Sequence, residues 1–473
     1  MIITYIVCIY FLYVLLSGFI LFKFYKHKRS HYKDKHAPQR FFGEESCQDR
    51  VALVEERYES GLARINLIEN AHETLDISYY MISPGLASNI FLASIVNAAD
   101  KGVQIRILLD GLFHHMKGKR KDILYSLSDH PNIQLKFYEP FDPLRPWTWN
   151  NRLHDKIIIV DHELTMIGGR NIGDKYFAPA GYDGATNDRD VVIVNTDVDN
   201  FETSVISQIK EYYEYVWNHE FTKHPVTQLT KKQQLIAQKK LSDIRQLFKT
   251  LLHSHLEMFQ REINWIERSQ PTNKVTFIHN PIERLKKEPW VWYEISNLMK
   301  EAKKSILIQS PYIIPTNNML QTLDKENLSA GKVVALTNSL AASPNLLAYS
   351  GYRRYRKKIV DLGINVYEFQ GPSESYHTKS FIFDNRISLV GSFNLDSRST
   401  YLSTEIMVVI DSKEFASQMK NKIDDVINHN SLRVRNNGSY IAHPRIEEKM
   451  VSPVKATITR VLSGLTRFNE HLL

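Results

Sequence analysis

The chain has 473 residues, is 43% hydrophobic and 24% charged, and carries 24 Tyr and 22 Phe, which gives room for two domains with cores of their own and excludes a disordered chain. Its 17 Pro and 19 Gly exclude collagenous or low-complexity sequence, and its two cysteines exclude a disulfide framework. The net charge of +8 is local: residues 23–40 hold seven basic side chains (Lys23, Lys26, Lys28, Arg29, Lys33, Lys35, Arg40) against Asp34, which leaves +2 for residues 41–473. A nucleic-acid binder more usually spreads basicity over a domain face, so this placement argues against a nucleic-acid partner.

Residues 2–22 carry no charge, and as a helix they span roughly 30 Å, the thickness of a bilayer core. A cleaved leader would have a charged start and a small-residue cleavage site, whereas this segment starts uncharged and runs into Lys23-Phe24-Tyr25-Lys26; an uncleaved anchor is expected. The basic residues on its far side place residues 23–473 in the cytoplasm, giving a single-pass protein of the cell membrane. Cys8 falls within this span and Cys47 outside it, so the two are read as ordinary thiols.

One pattern occurs twice at a fixed offset. The first copy is His154-Asp-Lys156, then Asp161, Gly168 and Asn171; the second is His377-Thr-Lys379, then Asp384, Gly391 and Asn394. A lone His-x-Lys in a chain with 18 His is noise, but five matched positions in one register indicate duplication. The flanks repeat as well. Helical stretches before residues 75–80 and 103–110 in the first half answer to helical residues 295–304 and 352–362 before apolar residues 305–310 and 364–369 in the second. This alternation predicts two pseudo-symmetric α/β domains of α-β-α layering with central mixed sheets, preceded by one transmembrane helix. Both motifs fall on strand–turn–strand units, residues 156–160 with 164–167 and 379–383 with 387–390, so that His and Lys two apart share a face.

The expected divisions are an anchor at 1–22, a basic segment at 23–50, a first domain at 51–222, a connector at 223–272, a second domain at 273–430 and a tail at 431–473. The connector is read as helix, with Leu235, Ile236, Ile244, Leu247, Phe248, Leu251, Leu252, Leu256, Phe259, Ile263 and Ile266 at helical spacing, packed on the domains rather than on lipid. In the tail, Ile458, Val461, Leu462, Leu465, Phe468 and Leu472 form one helical stripe, for which packing and lipid contact both stay open.

Two imidazoles and two ammoniums suit displacement at an anionic phosphorus. One His attacks and forms a phosphohistidine while the other passes a proton to the leaving alcohol and takes one from the acceptor. Lys156 and Lys379, with the amides of Asn171 and Asn394, would hold the non-bridging oxygens. No metal or cofactor is called for, because one His and one Asp on a strand make a poor ligand set. Matching Asp188-Arg-Asp190-Val-Val-Ile193 to Glu405-Ile-Met407-Val-Val-Ile410 nominates Asp188 and Glu405 to orient the histidines, with Asp190 as the alternative for His154. The motif acids Asp161 and Asp384 belong to the catalytic pattern in a structural capacity, through turn hydrogen bonds or a buried ion pair. His114, His115 and His162 are read as loop residues.

These residues resemble the phospholipase D superfamily, whose motif is H-x-K-x4-D-x6-G-[GS]-x-N in duplicate. Gly168–Phe177, Ser310–Pro315, Thr337–Leu340, Gly351–Arg356 and Gly391–Arg398 followed by Glu405 are similar to its bacterial cardiolipin synthase branch. The resemblance implies a phosphatidyltransferase with His154 as nucleophile, His377 as general acid/base and phosphatidylglycerol as acceptor. A phospholipase D hydrolase, another phosphatidyltransferase or a nuclease of the superfamily would use the same residues. One departure is the single span where two anchor helices are common in that branch.

Overall fold

The computed structural model describes residues 1–259, 262–324, 326, 328–371 and 373–473. The first half is built on a nine-stranded sheet in the order Gln270–Pro271, Asp49–Val54, Asp190–Asn195, Leu164–Gly168, Lys156–Val160, Thr74–Tyr79, Gln104–Asp110, Ile133–Tyr138, Thr222–Lys223. The second carries eight strands in the order Lys274–His279, Ile406–Asp411, Ile387–Gly391, Ser380–Phe383, Ser305–Gln309, Lys332–Asn338, Asn365–Phe369, Ser431–Arg433. Without the edge strand Gln270–Pro271, the two orders match strand for strand. Both sheets are mixed, with the parallel pairs at equivalent places.

Central strands such as Lys156–Val160 are buried at every residue, as apolar runs covered on both faces require. The outer face of the first sheet packs Ile77, Ile107 and Ile158 against Leu67, Phe91 and Leu127 of the flanking helices; in the second sheet Ile306, Val366 and Leu389 meet Ile295 and Tyr352. The inner faces share one core. Ile157, Ile167 and Val191 join Ile382, Val390 and Val408 around the helices Val205–Asn218 and Lys413–Asn430. This common layer ties the halves face to face and brings their motif ends together.

The connector departs from one continuous helix. Its helix runs Lys231–Ser254 behind a Thr230–Gln233 capping box and buries Ala237, Leu241, Ile244, Phe248 and Leu251. Leu235, Ile236, Leu256 and Ile266 from the expected stripe are exposed, residue 223 ends a strand, and residues 270–271 form another. The part of that expectation at residues 260 and 261 lies outside the described residues. The N-terminal helix runs Ile2–Leu15, widens into a π-type turn at Leu16–Ile20 and closes at Leu21–Phe24, 23 residues with mean hydropathy 2.4 and Lys23 as the one charge. After it, Lys23, Lys26, Lys28, Arg29, Lys33 and Lys35 are exposed, whereas Arg40 pairs with Glu294 at 2.6 Å and Phe41 enters the second core.

Candidate active site

Each motif histidine sits just ahead of a strand rather than on it. His154 precedes Lys156–Val160, and His377 lies between Glu374–Tyr376 and Ser380–Phe383. The Lys156 and Lys379 ammoniums turn back onto the His154 and His377 carbonyls, so side chain and backbone meet at the strand entrance.

The backbone approaching each histidine is held by the opposite half. Glu374–Tyr376 pairs in parallel with Ala185–Asn187, and the His377 amide donates to Asn187 O at 2.7 Å. The His154 amide donates to Thr404 Oγ1 at 2.9 Å, and the Thr404 amide returns a bond to Arg152 O at 2.9 Å. The carboxylates cross in the same way. His154 Nδ1 lies 3.1 Å from Glu405 Oε2, and His377 Nδ1 lies 2.6 Å from Asp188 Oδ2, which also faces Lys379 Nζ at 3.4 Å.

The expectation that Asp188 or Asp190 orients His154 is therefore corrected. Asp188 belongs to His377. Asp190 is taken up by Ser60 at 2.6 Å, Arg170 at 2.7 Å and Arg64 at 3.1 Å, a buried cluster beneath the Arg57–Glu69 helix. The physical reason is the face-to-face docking of the sheets: Asp188 and Glu405 lie before their strands begin, where the chain projects across the interface.

The position after each motif glycine, Gly169 in one half and Ser392 in the other, is fitted to these carboxylates. A Cβ at Gly169 would overlap the Asp188 carboxylate. The equivalent residue Ser392 instead donates its hydroxyl to Glu405 Oε2 at 2.5 Å. Asp161 and Asp384 point away from the histidines. Asp161 accepts from the amides of His72 (3.0 Å), Glu73 (2.9 Å) and Thr74 (2.7 Å), and Asp384 from those of Lys303 (2.9 Å), Lys304 (2.7 Å) and Ser305 (3.0 Å). Both sit at positive φ, 50° and 51°, in the turn after the motif strand, a conformation that Asp tolerates better than most residues. These bonds reach the loop ahead of the neighbouring strand, 79 to 89 positions away in sequence, and so differ from both the turn hydrogen bonds and the buried ion pair that were expected.

Asn171 donates to Tyr176 Oη at 3.3 Å, while the side-chain carbonyls of Asn171 and Asn394 are buried with no partner among the described residues. Aromatic walls complete the site. The Tyr80 ring lies edge-on to His154 at 5.3 Å with Lys156 Nζ 5.6 Å from its centroid, and Tyr176 stands 6.3 Å from His377. Tyr80 and Thr404 carry no motif in the sequence, and Tyr80 only ends an apolar run, whereas Ser392 fills the [GS] position of the second copy. His114 stacks on Phe137 and accepts from the Met116 amide at 2.9 Å, and His162 stacks on Phe201.

The electrostatics favour an anion. Burial, then Lys156 and Lys379, hold His154 well below the ordinary imidazole value, and burial with Lys379 takes His377 down to about 3 against the pull of Asp188. Burial opposes ionisation of Asp188, yet Lys379 and His377 outweigh it and keep the carboxylate charged. Burial pushes Glu405 up to about 8 and Lys156 down to about 7, each partly offset by the other's charge. Two neutral imidazoles beside two buried cations form a site that a phosphodiester anion would complete.

A family model described as cardiolipin synthase, phospholipase D-like domain, matches residues 65–217 and 295–427. An uncharacterized protein of Helicobacter pylori (strain ATCC 700392 / 26695) is 30% identical over 408 residues, covering 79% of this chain and 78% of its own. Cardiolipin synthase C of Escherichia coli (strain K12) is 28% identical over 404 residues, covering 77% of this chain and 81% of its own. The crystal structure of phosphatidylserine synthase from Haemophilus influenzae Rd KW20 superposes with a TM-score of 0.61 at 16% identity, over 89% of this chain and 95% of that one.

Proposed function

The chain belongs to the cardiolipin synthase, phospholipase D-like family, and from that premise we propose that it is a membrane-anchored phosphatidyltransferase that makes cardiolipin by passing a phosphatidyl group to phosphatidylglycerol. The observation that carries this reading is the pair of crossed His–carboxylate contacts, His154 with Glu405 and His377 with Asp188, flanked by Lys156 and Lys379.

In the first step His154 Nε2 attacks the phosphorus of the phosphatidyl donor. The bond from phosphorus to the leaving alcohol breaks as His377, which takes up a proton from solvent when the anionic donor binds beside it, delivers that proton to the leaving oxygen, leaving a phosphatidyl-histidine. In the second step the hydroxyl of phosphatidylglycerol gives its proton to His377, its oxygen bonds to phosphorus, and the P–N bond breaks. The ionised Asp188 suits His377 to the imidazolium state that proton delivery needs. Lys156, Lys379 and the Asn171 and Asn394 side chains hold the non-bridging oxygens. The apolar Ile2–Phe24 helix anchors the chain in the cell membrane, and the exposed lysines and Arg29 after it keep the catalytic body on the cytoplasmic leaflet.

Purified protein in bilayers containing phosphatidylglycerol is expected to form cardiolipin, and His154→Ala or His377→Ala to abolish it. Release of phosphatidic acid alone, with abundant alcohol acceptor present, would make the chain a hydrolase instead.

A further inference from the structure

The Pro453–Asn469 helix is packed inside out. Thr459 and Thr466 are its buried residues, Ser350 Oγ donates to Thr459 O at 3.2 Å, and Lys455 Nζ donates to the carbonyls of Ala341 and Ser343 at 3.1 Å each. Its large apolar side chains point the other way. Val454, Ile458, Val461, Leu465 and Phe468 recur at spacings of four, three, four and three, with exposures of 67%, 43%, 61%, 55% and 67%. One water-facing apolar stripe of this length has to be covered by something. The helix also carries Lys455, Arg460 and Arg467 and no acidic residue, and Arg460 and Arg467 are exposed.

What covers it is indicated by its neighbours. Directly after the helix, Leu472 packs with Phe22 of the apolar N-terminal helix, and His471 Nε2 lies 3.2 Å from Phe19 O. The segment before the first motif reaches the same helix: Tyr10 Oη donates to Pro143 O at 2.9 Å, Tyr13 Oη to Leu144 O at 2.6 Å and Asn150 Nδ2 to Gly18 O at 2.6 Å, with Phe141 and Leu144 exposed beside them. Arg398 joins the two, donating to Leu472 O at 3.0 Å and to Asn150 O at 3.3 Å. The apolar stripe is thus continuous with the place where the anchor meets the catalytic body.

We propose that Pro453–Asn469 lies flat in the interface of the bilayer that Ile2–Phe24 crosses, with Val454, Ile458, Val461, Leu465 and Phe468 among the acyl chains and Arg460 and Arg467 at anionic headgroups. The proposal rests on the reading of Ile2–Phe24 as a membrane anchor. It makes this helix a second, in-plane contact that sets the orientation of the active-site mouth to the lipid surface.

The test uses the full chain with Cys8→Ser and Cys47→Ser, and an environment-sensitive fluorophore on Leu465→Cys or, as a reference, on Lys239→Cys of the exposed side of Lys231–Ser254. In vesicles of phosphatidylcholine and phosphatidylglycerol with brominated acyl chains, the probe at 465 is expected to lose about half its emission and the probe at 239 to keep it. Val461→Glu with Leu465→Glu is expected to lower lipid turnover about tenfold in vesicles and to leave it unchanged in detergent micelles. An unquenched probe at 465, or efficient disulfide dimers of Leu465→Cys showing that a second copy covers the face, would overturn the proposal. Quenching is read without turnover, so a chain that binds in this way yet makes no cardiolipin would sink the functional reading alone.

Discussion

His154 and Glu405 meet at 3.1 Å although 251 positions separate them, and the contact runs between the two halves of the chain. Glu405 is buried and shared with Ser392, so it fixes the imidazole with Nδ1 toward the carboxylate and Nε2 free to attack. Glu405→Gln keeps the shape and removes the titratable carboxyl that faces His154 Nδ1. It is expected to lower kcat about 10²–10⁴-fold with little change in KM, as loss of a histidine-orienting carboxylate does elsewhere. Steady-state kinetics in mixed micelles decide this, and an unchanged kcat would remove Glu405 from the mechanism.

The two carboxylates are seated differently, and this asymmetry can be tested. Gly169→Ala drives a methyl group into Asp188 and is expected to destabilise the fold by about 1–3 kcal/mol and displace the partner of His377. Ser392→Ala removes one hydrogen bond to Glu405 without adding bulk, and is expected to cost about 1 kcal/mol. Urea titrations of the two variants should rank them in that order; a neutral Gly169→Ala would contradict the close approach.

Asp161 and Asp384 share the motif with the histidines yet each holds three backbone amides of a neighbouring loop. Asp161→Ala should therefore lower stability by about 1–3 kcal/mol by removing three hydrogen bonds to a carboxylate at a positive-φ site, and Asp161→Asn by less, since Asn keeps an acceptor and tolerates the turn. The folded fraction should retain its turnover number. A well-folded Asp161→Asn protein with a kcat lowered a thousandfold would instead place the carboxylate in the chemistry.

The pH profile of kcat/KM follows from the two kinds of buried base. His154 is held below its ordinary value near 6.5, so it remains unprotonated and able to attack as pH falls through 6, whereas His377, also held low, must take up a proton with the substrate and does so more readily as pH falls. Lys156 is active as the cation and is held down to about 7, so free enzyme loses phosphate affinity as pH rises through that value. The expected result is a kcat/KM that does not fall on the acidic side and that has a basic limb near neutrality. Lys156→Arg, whose guanidinium keeps its proton, should move that limb upward even if the rate falls, and an unmoved limb would assign it to another group.

The duplicated pattern and the paired flanking helices made the architecture legible, because residues 75–80 and 305–310 announce equivalent strands within each half. The exchange of Asp188 and Glu405 was hidden for the same reason. Each carboxylate aligns with its counterpart inside its own repeat, and only the docking of the two inner sheet faces through Ile157, Ile382 and their neighbours sends each across to the other histidine. Strand periodicity also placed His154 and His377 on strands they only precede, since hydrogen-bond pairing starts after them. In the connector, apolar spacing could not separate buried Ile244 and Phe248 from exposed Leu235, because the register against the first domain is a tertiary property.

The basic residues beside the span decide on which side of the membrane the body lies. Six cations after the span, Lys23, Lys26, Lys28, Arg29, Lys33 and Lys35, are exposed, whereas Arg40 is committed to Glu294. Each free cation near an anionic leaflet contributes about 1 kcal/mol, and such residues set orientation when they lie within about 15–20 residues of the span. All six fall within that reach of Phe24. A cysteine at Lys239 in the background without Cys8 and Cys47 should therefore resist a membrane-impermeant maleimide in intact cells and react once they are permeabilised. Replacing the six cations with Gln should weaken this protection by letting a fraction of chains insert the opposite way, while Arg40→Gln alone should not. Labelling of Lys239→Cys in intact cells with the six cations in place would reverse the topology and put the catalytic body outside.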